Sequence, residues 1–232
     1  MSTGDIKIAT PSGDFTGYLA KPASGKGPGV VVIQEIFGVN ANIRSIADDY
    51  ATQGYFALAP DLFWRIEPNI QLTDKTEAEW KRAFELLGKL DQDQAVKDIQ
   101  STIDTLRKMP GCTGKTGAVG YCLGGRLAYL TAARTTIDAA VGYYGVAIDK
   151  NLEEAKSIKV PLVLHVPTAD KFVPPEAQAA MKSGLAPYSG ITLYFYDGND
   201  HAFARIGGEH YDKAAADLAN GRTASFFKSQ LS

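Results

Sequence analysis

Short apolar runs alternate along the chain with stretches whose apolar residues recur every three or four positions. Residues 30–33, Val-Val-Val-Ile, form a continuous β-branched run, the signature of a strand buried on both faces. Ile43, Ile46, Ala47 and Tyr50 then fall on one helical face, with Asn40 as N-cap and Gly54 as stop. Residues 55–59 predict the next strand, closed by Pro60 and Asp61. Two helices follow. Trp80, Ala83, Phe84 and Leu87 share a face of the first, which Thr76 and Glu79 open as a capping box. Val96, Ile99, Ile103 and Leu106 share a face of the second. Further strands are predicted at 117–119, 139–143, 160–166 and 192–196, and a last helix carries Ala214, Leu218 and Phe226. Segments 5–9 and 15–20 lie beside glycine and proline turns and predict an antiparallel edge. Such alternation implies an α/β protein with a mainly parallel, twisted sheet and helices on both faces.

Composition narrows the class without changing this picture. The 232 residues are 45% hydrophobic and 22% charged, ordinary for a globular chain, so disordered and coiled-coil classes are excluded. One domain over 1–232 and a monomer are expected. A net charge of −2 offers no basic surplus for nucleic acid or an anionic membrane surface. The two cysteines, Cys112 and Cys122, have neither disulfide-framework nor zinc-ligand spacing, and no metal is expected. The first seven residues lack an apolar signal region, and no apolar run approaches a membrane span. A cytoplasmic protein with reduced thiols is the expectation.

The candidate chemistry begins at Gly120-Tyr121-Cys122-Leu123-Gly124-Gly125. Small residues two before and two after a nucleophile let a strand turn sharply into a helix and lift the nucleophile above the sheet edge. Cysteine stands where serine is usual, and a helix N-terminus favours its thiolate. An inert cysteine in a tight turn is the plain alternative. An acid and a histidine should follow at later strand ends. Asp170 follows the strand at 160–166, and His201 follows the strand at 192–196. In a parallel sheet both loops open at the same edge as Cys122. Asp170 would then hold one nitrogen of His201 and turn the other toward sulfur. His165, inside an apolar strand, reads as a hydrogen-bonded core residue. His210, at the start of the last helix, reads as a surface or capping residue, and Cys112 as incidental in a turn. Glu35 directly follows the buried run at 30–33. A carboxylate there needs a partner or a raised pKa, and near a thiol it could accept the proton. The N–H groups of Ile36 and Leu123 could form an oxyanion hole.

Together these segments resemble the dienelactone hydrolase family. The shared motifs are Gln34-Glu35-Ile36-Phe37-Gly38-Val39-Asn40, Pro60-Asp61-Leu62, the elbow at 120–125, Tyr143-Tyr144-Gly145, Asp170, and His201-Ala202-Phe203-Ala204-Arg205. The resemblance implies an α/β-hydrolase fold with little or no cap domain and no cofactor. It implies Cys122 as nucleophile, His201 as base then acid, Asp170 as its orienter, and Glu35 as acceptor of the thiol proton. Arg205 would grip a substrate carboxylate, with Phe37, Trp80 and Tyr144 also lining the substrate. The implied reaction opens dienelactone, an enol lactone bearing a carboxylate, to maleylacetate in aromatic or chlorocatechol degradation.

One departure concerns the substrate. Family members carry a second carboxylate-binding Arg and a Tyr, four residues apart, where this chain has Trp80 and Phe84. Arg82 lies about 200° round the helix from Trp80 and points elsewhere, and Arg65, after Trp64, is the candidate to compensate. A broader carboxylesterase or thioesterase with a reshaped pocket is therefore the alternative. A non-catalytic binding module with Cys122 as redox sensor is the alternative outside enzymes.

Overall fold

The computed structural model describes residues 3–232; Met1 and Ser2, where the expected absence of a leader begins, lie outside the described residues. The chain divides into two compact units, one ending at Ala118 and one running from Val119 to Ser232. In the first, β1 (Gly4–Thr10) and β2 (Gly13–Ala20) form an antiparallel hairpin, as the edge segments predicted. There follow β3 (Gly27–Ile33), α1 (Ala41–Thr52), β4 (Phe56–Pro60), α2 (Glu77–Lys89), α3 (Gln92–Arg107) and the start of β5 (Cys112–Tyr121). The strand order is β1-β2-β4-β3-β5, with β4 antiparallel to β2 and parallel to β3. In the second unit β5 is followed by α4 (Leu123–Arg134), β6 (Ala139–Tyr143), β7 (Leu162–Pro167), α5 (Pro175–Leu185), β8 (Ile191–Tyr196) and α6 (Lys213–Leu231). There β6, β7 and β8 run parallel, in the order β5-β6-β7-β8. The crossover from β6 to β7 holds a short 3-10 segment, Ile148–Ser157, in place of any cap domain. Among the described residues, no helix is long and apolar enough to cross a membrane.

Local chemistry sets the element ends. The Asn40 side chain accepts from the Ile43 N–H at 3.1 Å, and Thr76 accepts from the Glu79 N–H at 3.2 Å. The Thr76 hydroxyl also donates to Glu79 at 2.8 Å. The run Val30–Ile33 is wholly buried, as are β6 and β7, which is why their sequences show no polar alternation.

Several expectations shift. On α2 the buried residues are Ala83 and Leu86, and Phe84 is 47% exposed, because the core stripe runs one position off the aromatic row. On α6 the buried face is Ala215, Ala219, Thr223 and Phe227, not Ala214, Leu218 and Phe226. That helix has apolar residues on every side, so periodicity alone misses the face by one residue, about 100°. It begins after Asp212, whose side chain caps Ala215 N–H at 2.9 Å, so His210 precedes it as an exposed residue. Cys112 opens a longer β5 instead of sitting in the turn before it.

Candidate active site

The elbow is built by steric necessity. β5 ends at Tyr121 and α4 begins at Leu123, leaving Cys122 alone at φ 56°, ψ −115°. A non-glycine residue there stores on the order of 1–3 kcal/mol of strain, which the surrounding structure must hold. A Cβ on Gly120 would lie 1.9 Å from the Gly124 carbonyl oxygen, and one on Gly125 would lie 2.5 Å from that of Tyr143. The Cys122 N–H donates to Tyr143 O at 3.1 Å, and its carbonyl accepts from Gly125 N–H at 3.0 Å. No side chain caps α4, so its first N–H groups, beginning with Leu123, are donors offered at the helix N-terminus. Cys122 itself is 8% exposed.

Asp170, on the loop after β7, and His201, on the loop after β8, meet directly. His201 Nδ1 donates to Asp170 Oδ2 at 2.8 Å, while Asp170 Oδ1 accepts from the Phe172 N–H at 2.8 Å. One carboxylate oxygen thus fixes the loop and the other fixes the ring. The His201 N–H donates to Asp200 at 2.7 Å, and Ala202 takes φ 62° to turn the chain immediately afterwards. Asp170 and His201 are 3% and 5% exposed. His201 Nε2 is buried and has no hydrogen-bond partner of ordinary geometry. Burial alone would lower the ring's pKa, but the electrostatic influence of Cys122 and then the hydrogen bond to Asp170 outweigh it and raise it to about 10. Tyr144, held at φ 38°, sets its ring edge-on to His201 at 5.2 Å, and Phe172 does the same at 4.8 Å.

The other histidines separate cleanly from this site. His165 is buried between the Tyr196 hydroxyl at 2.7 Å and the Thr223 hydroxyl at 2.9 Å. Burial, with Arg222 nearby, pushes its pKa down to about 3, so it is a neutral core group. His210 approaches Asp200 at 3.7 Å. Arg205 lies beyond His201 and is 9% exposed, with its N–H on Ala202 O at 2.9 Å.

In the first unit, Glu35, Ile36 and Phe37 are buried after β3. Trp80 packs edge-on to Phe37 at 5.0 Å and beside Phe84 at 5.7 Å, and its indole N–H donates to Asp74 O at 3.1 Å. Arg65 is committed elsewhere: it pairs with buried Asp98 at 2.8 Å and stacks on Trp64. Arg82 is engaged by Glu67 and Glu85.

Two residues near the candidate triad went unnoticed in the sequence. Phe172 is a half-exposed aromatic against the histidine. Arg126 is the one charged residue in the otherwise apolar first half of α4, and that interruption was its signal.

A strand–cysteine–helix elbow with an aspartate-held histidine, on a mostly parallel sheet, makes this an α/β-hydrolase. More narrowly, the chain belongs to the dienelactone hydrolase family, whose profile matches residues 15–231. A protein of Azospirillum brasilense provisionally named a carboxymethylenebutenolidase is 47% identical over 229 residues, covering 97% of this chain and 98% of its own. The carboxymethylenebutenolidase of Pseudomonas putida is 37% identical over 227 residues, covering 97% and 96%. A solved structure from Klebsiella pneumoniae, provisionally named a dienelactone hydrolase, superposes with a TM-score of 0.87 at 26% identity, covering 97% of this chain and 98% of its own. The chain is thus a carboxymethylenebutenolidase-like hydrolase.

Proposed function

We propose that this chain opens dienelactone to maleylacetate, with Cys122 as nucleophile, His201 as base then acid and Asp170 as the orienter of His201, in aromatic or chlorocatechol degradation. The observation that carries the reading is the histidine's asymmetry. Asp170 holds Nδ1 at 2.8 Å while Nε2 is buried, has no other partner of ordinary geometry, and lies under the influence of the Cys122 sulfur. The family profile matches residues 15–231, which supports treating the chain as a single catalytic domain. Its relatives' names support the lactone.

In this mechanism the thiol proton passes to Glu35, and the thiolate attacks the lactone carbonyl. The N–H groups of Leu123 and Ile36 receive the oxyanion. The ring C–O bond breaks, the enolate leaves and recovers the proton, and a thioester remains. No cofactor enters. Acylation removes the sulfur's negative charge, which is the leading cause raising His201. With the sulfur acylated and uncharged, burial favours His201 as neutral imidazole, the form that can take a proton from water. The hydroxide adds to the thioester, the C–S bond breaks, and the proton returns to sulfur.

One observation favours a second reading. Trp80, Phe37 and Phe84 form an aromatic cluster where a charged anchor was expected, which suits a bulkier or neutral acyl group. A hydrolysis panel of cis- and trans-dienelactone against neutral aryl esters, with Cys122→Ala as control, tests both. Preference for the lactones supports the first reading and preference for the aryl esters the second. Absence of any burst from an activated ester would leave only the redox-sensor alternative.

A further inference from the structure

Arg126 occupies an unusual position for a cation. It is the fourth residue after Cys122, in the first turn of α4, and its N–H donates to Cys122 O at 3.3 Å. Side chains on a helix tilt toward its N-terminus, so the Arg126 side chain runs back over the turn that carries Cys122. Its Nε is buried with no hydrogen-bond partner, and among the described residues no carboxylate pairs with the guanidinium. Burial is the main influence on it and disfavours its charge; Cys122 is the charged neighbour that opposes this. A half-buried guanidinium without an anion is costly, and a chain this size has many places to put an arginine in solvent. Arg44, Arg65, Arg82 and Arg134, by contrast, each pair with a carboxylate.

We propose that Arg126 is a specificity-determining residue, which receives an anionic group of the acyl substrate, a carboxylate, beside the nucleophile. The planar fork of a guanidinium can hold a carboxylate through two parallel hydrogen bonds. The substrate's anion supplies the partner that the protein withholds, and binding removes the cost of the unpaired charge. This deepens the proposed function and rests on Cys122 being the nucleophile. It does not require that dienelactone be the natural lactone.

Alkylation of Cys122 separates the two. Iodoacetate and iodoacetamide react with the same sulfur by the same displacement and differ in bearing a carboxylate. The wild-type protein should react faster with iodoacetate, relative to the two reagents' ratio on a free thiol. In Arg126→Met that preference should fall by about tenfold or more, the scale of losing one charge-assisted pair, with the iodoacetamide rate changing much less. Arg126→Lys should retain part of the preference, and added guanidinium ion should restore part of it to the Met variant. Because the native guanidinium is unpaired, Arg126→Met should melt no lower than wild type; a structural arginine would melt lower. Equal loss with both reagents, or an unchanged preference, overturns the proposal, since Arg126 would then serve only the thiolate or nothing at the site. If Arg126→Met does not fold, the Lys variant decides, because its preference must lie below wild type. Failure of the nucleophile reading is seen separately: Cys122→Ala would keep its hydrolytic activity.

Discussion

At the scale of single residues, charge and burial assign the histidines their different states. His201 and His165 are both buried, yet one is raised to about 10 and the other lowered to about 3. The difference is their neighbours: a sulfur and a carboxylate for His201, two hydroxyls and a guanidinium for His165. Removing the sulfur should therefore lower His201's pKa well below about 10, because burial, the largest influence, is then less opposed. NMR titration of the ring in Cys122→Ala checks this; an unmoved midpoint would mean that the sulfur does not set the ring's charge. Alkylation offers a companion check. Cys122 is buried and Cys112 half-buried, so access alone favours Cys112. Faster reaction of iodoacetamide at Cys122 is expected, and can come only from activation of the sulfur. The sequence separated these histidines by position, inside an apolar strand or just beyond one. It gave no hint that Arg126 would be left unpaired, because pairing depends on which side chains the fold brings near.

His165 also makes a prediction about pH and stability. Its folded pKa lies below the ordinary 6.5, so between about 3 and 6.5 the unfolded chain binds the extra proton. Stability then rises with pH through that window, and is lost as pH falls through it, at up to about 1.4 kcal/mol per pH unit. His165→Gln should flatten this acid limb. The variant should also lose about 1–3 kcal/mol at pH 7, since the Tyr196 and Thr223 hydroxyls lose their ring partner. Denaturant melts from pH 4 to 7 measure both effects, and an unchanged acid slope would assign the limb to other groups.

At the scale of elements, legibility followed how many independent signals agreed. The α1 start carried both a cap residue and a clean apolar stripe, and Asn40 caps it in the structure. α6 carried apolar residues all round, and only packing chooses Phe227 over Phe226. The elbow was readable because its glycines answer to backbone contact, a constraint that no side-chain packing can relax. Gly125→Ala places a Cβ 2.5 Å from Tyr143 O and 2.8 Å from the Gly145 Cα, so this variant should fail to fold or lose several kcal/mol, on the order of other severe overpacking. Gly88→Ala, in α2 with open space around its Cβ, should instead gain about 0.5–1 kcal/mol from a stiffer unfolded chain. Denaturation of the two variants side by side distinguishes steric demand at the elbow from a general intolerance of alanine.

At the scale of the whole molecule the question is what selects the substrate. A net charge of −2 gives no long-range attraction for an anionic lactone, so selectivity must come from individual cations. Arg65 and Arg82 are already engaged by carboxylates and are poor candidates. Arg205, buried in the segment after His201, is the residue to which the family pattern gives the substrate carboxylate. Losing one partner of a buried charge pair typically costs about 2–5 kcal/mol. Arg205→Ala should accordingly lower kcat/KM for dienelactone by about thirtyfold or more, and for a neutral aryl ester far less. The contrast between substrates carries the argument, since a misfolded or loosened site would slow both. If the two substrates fall together, Arg205 is a positioning residue for the loop. If the wild type already prefers the neutral ester, the aromatic cluster at Trp80 and Phe37 becomes the better guide to what this hydrolase acts on.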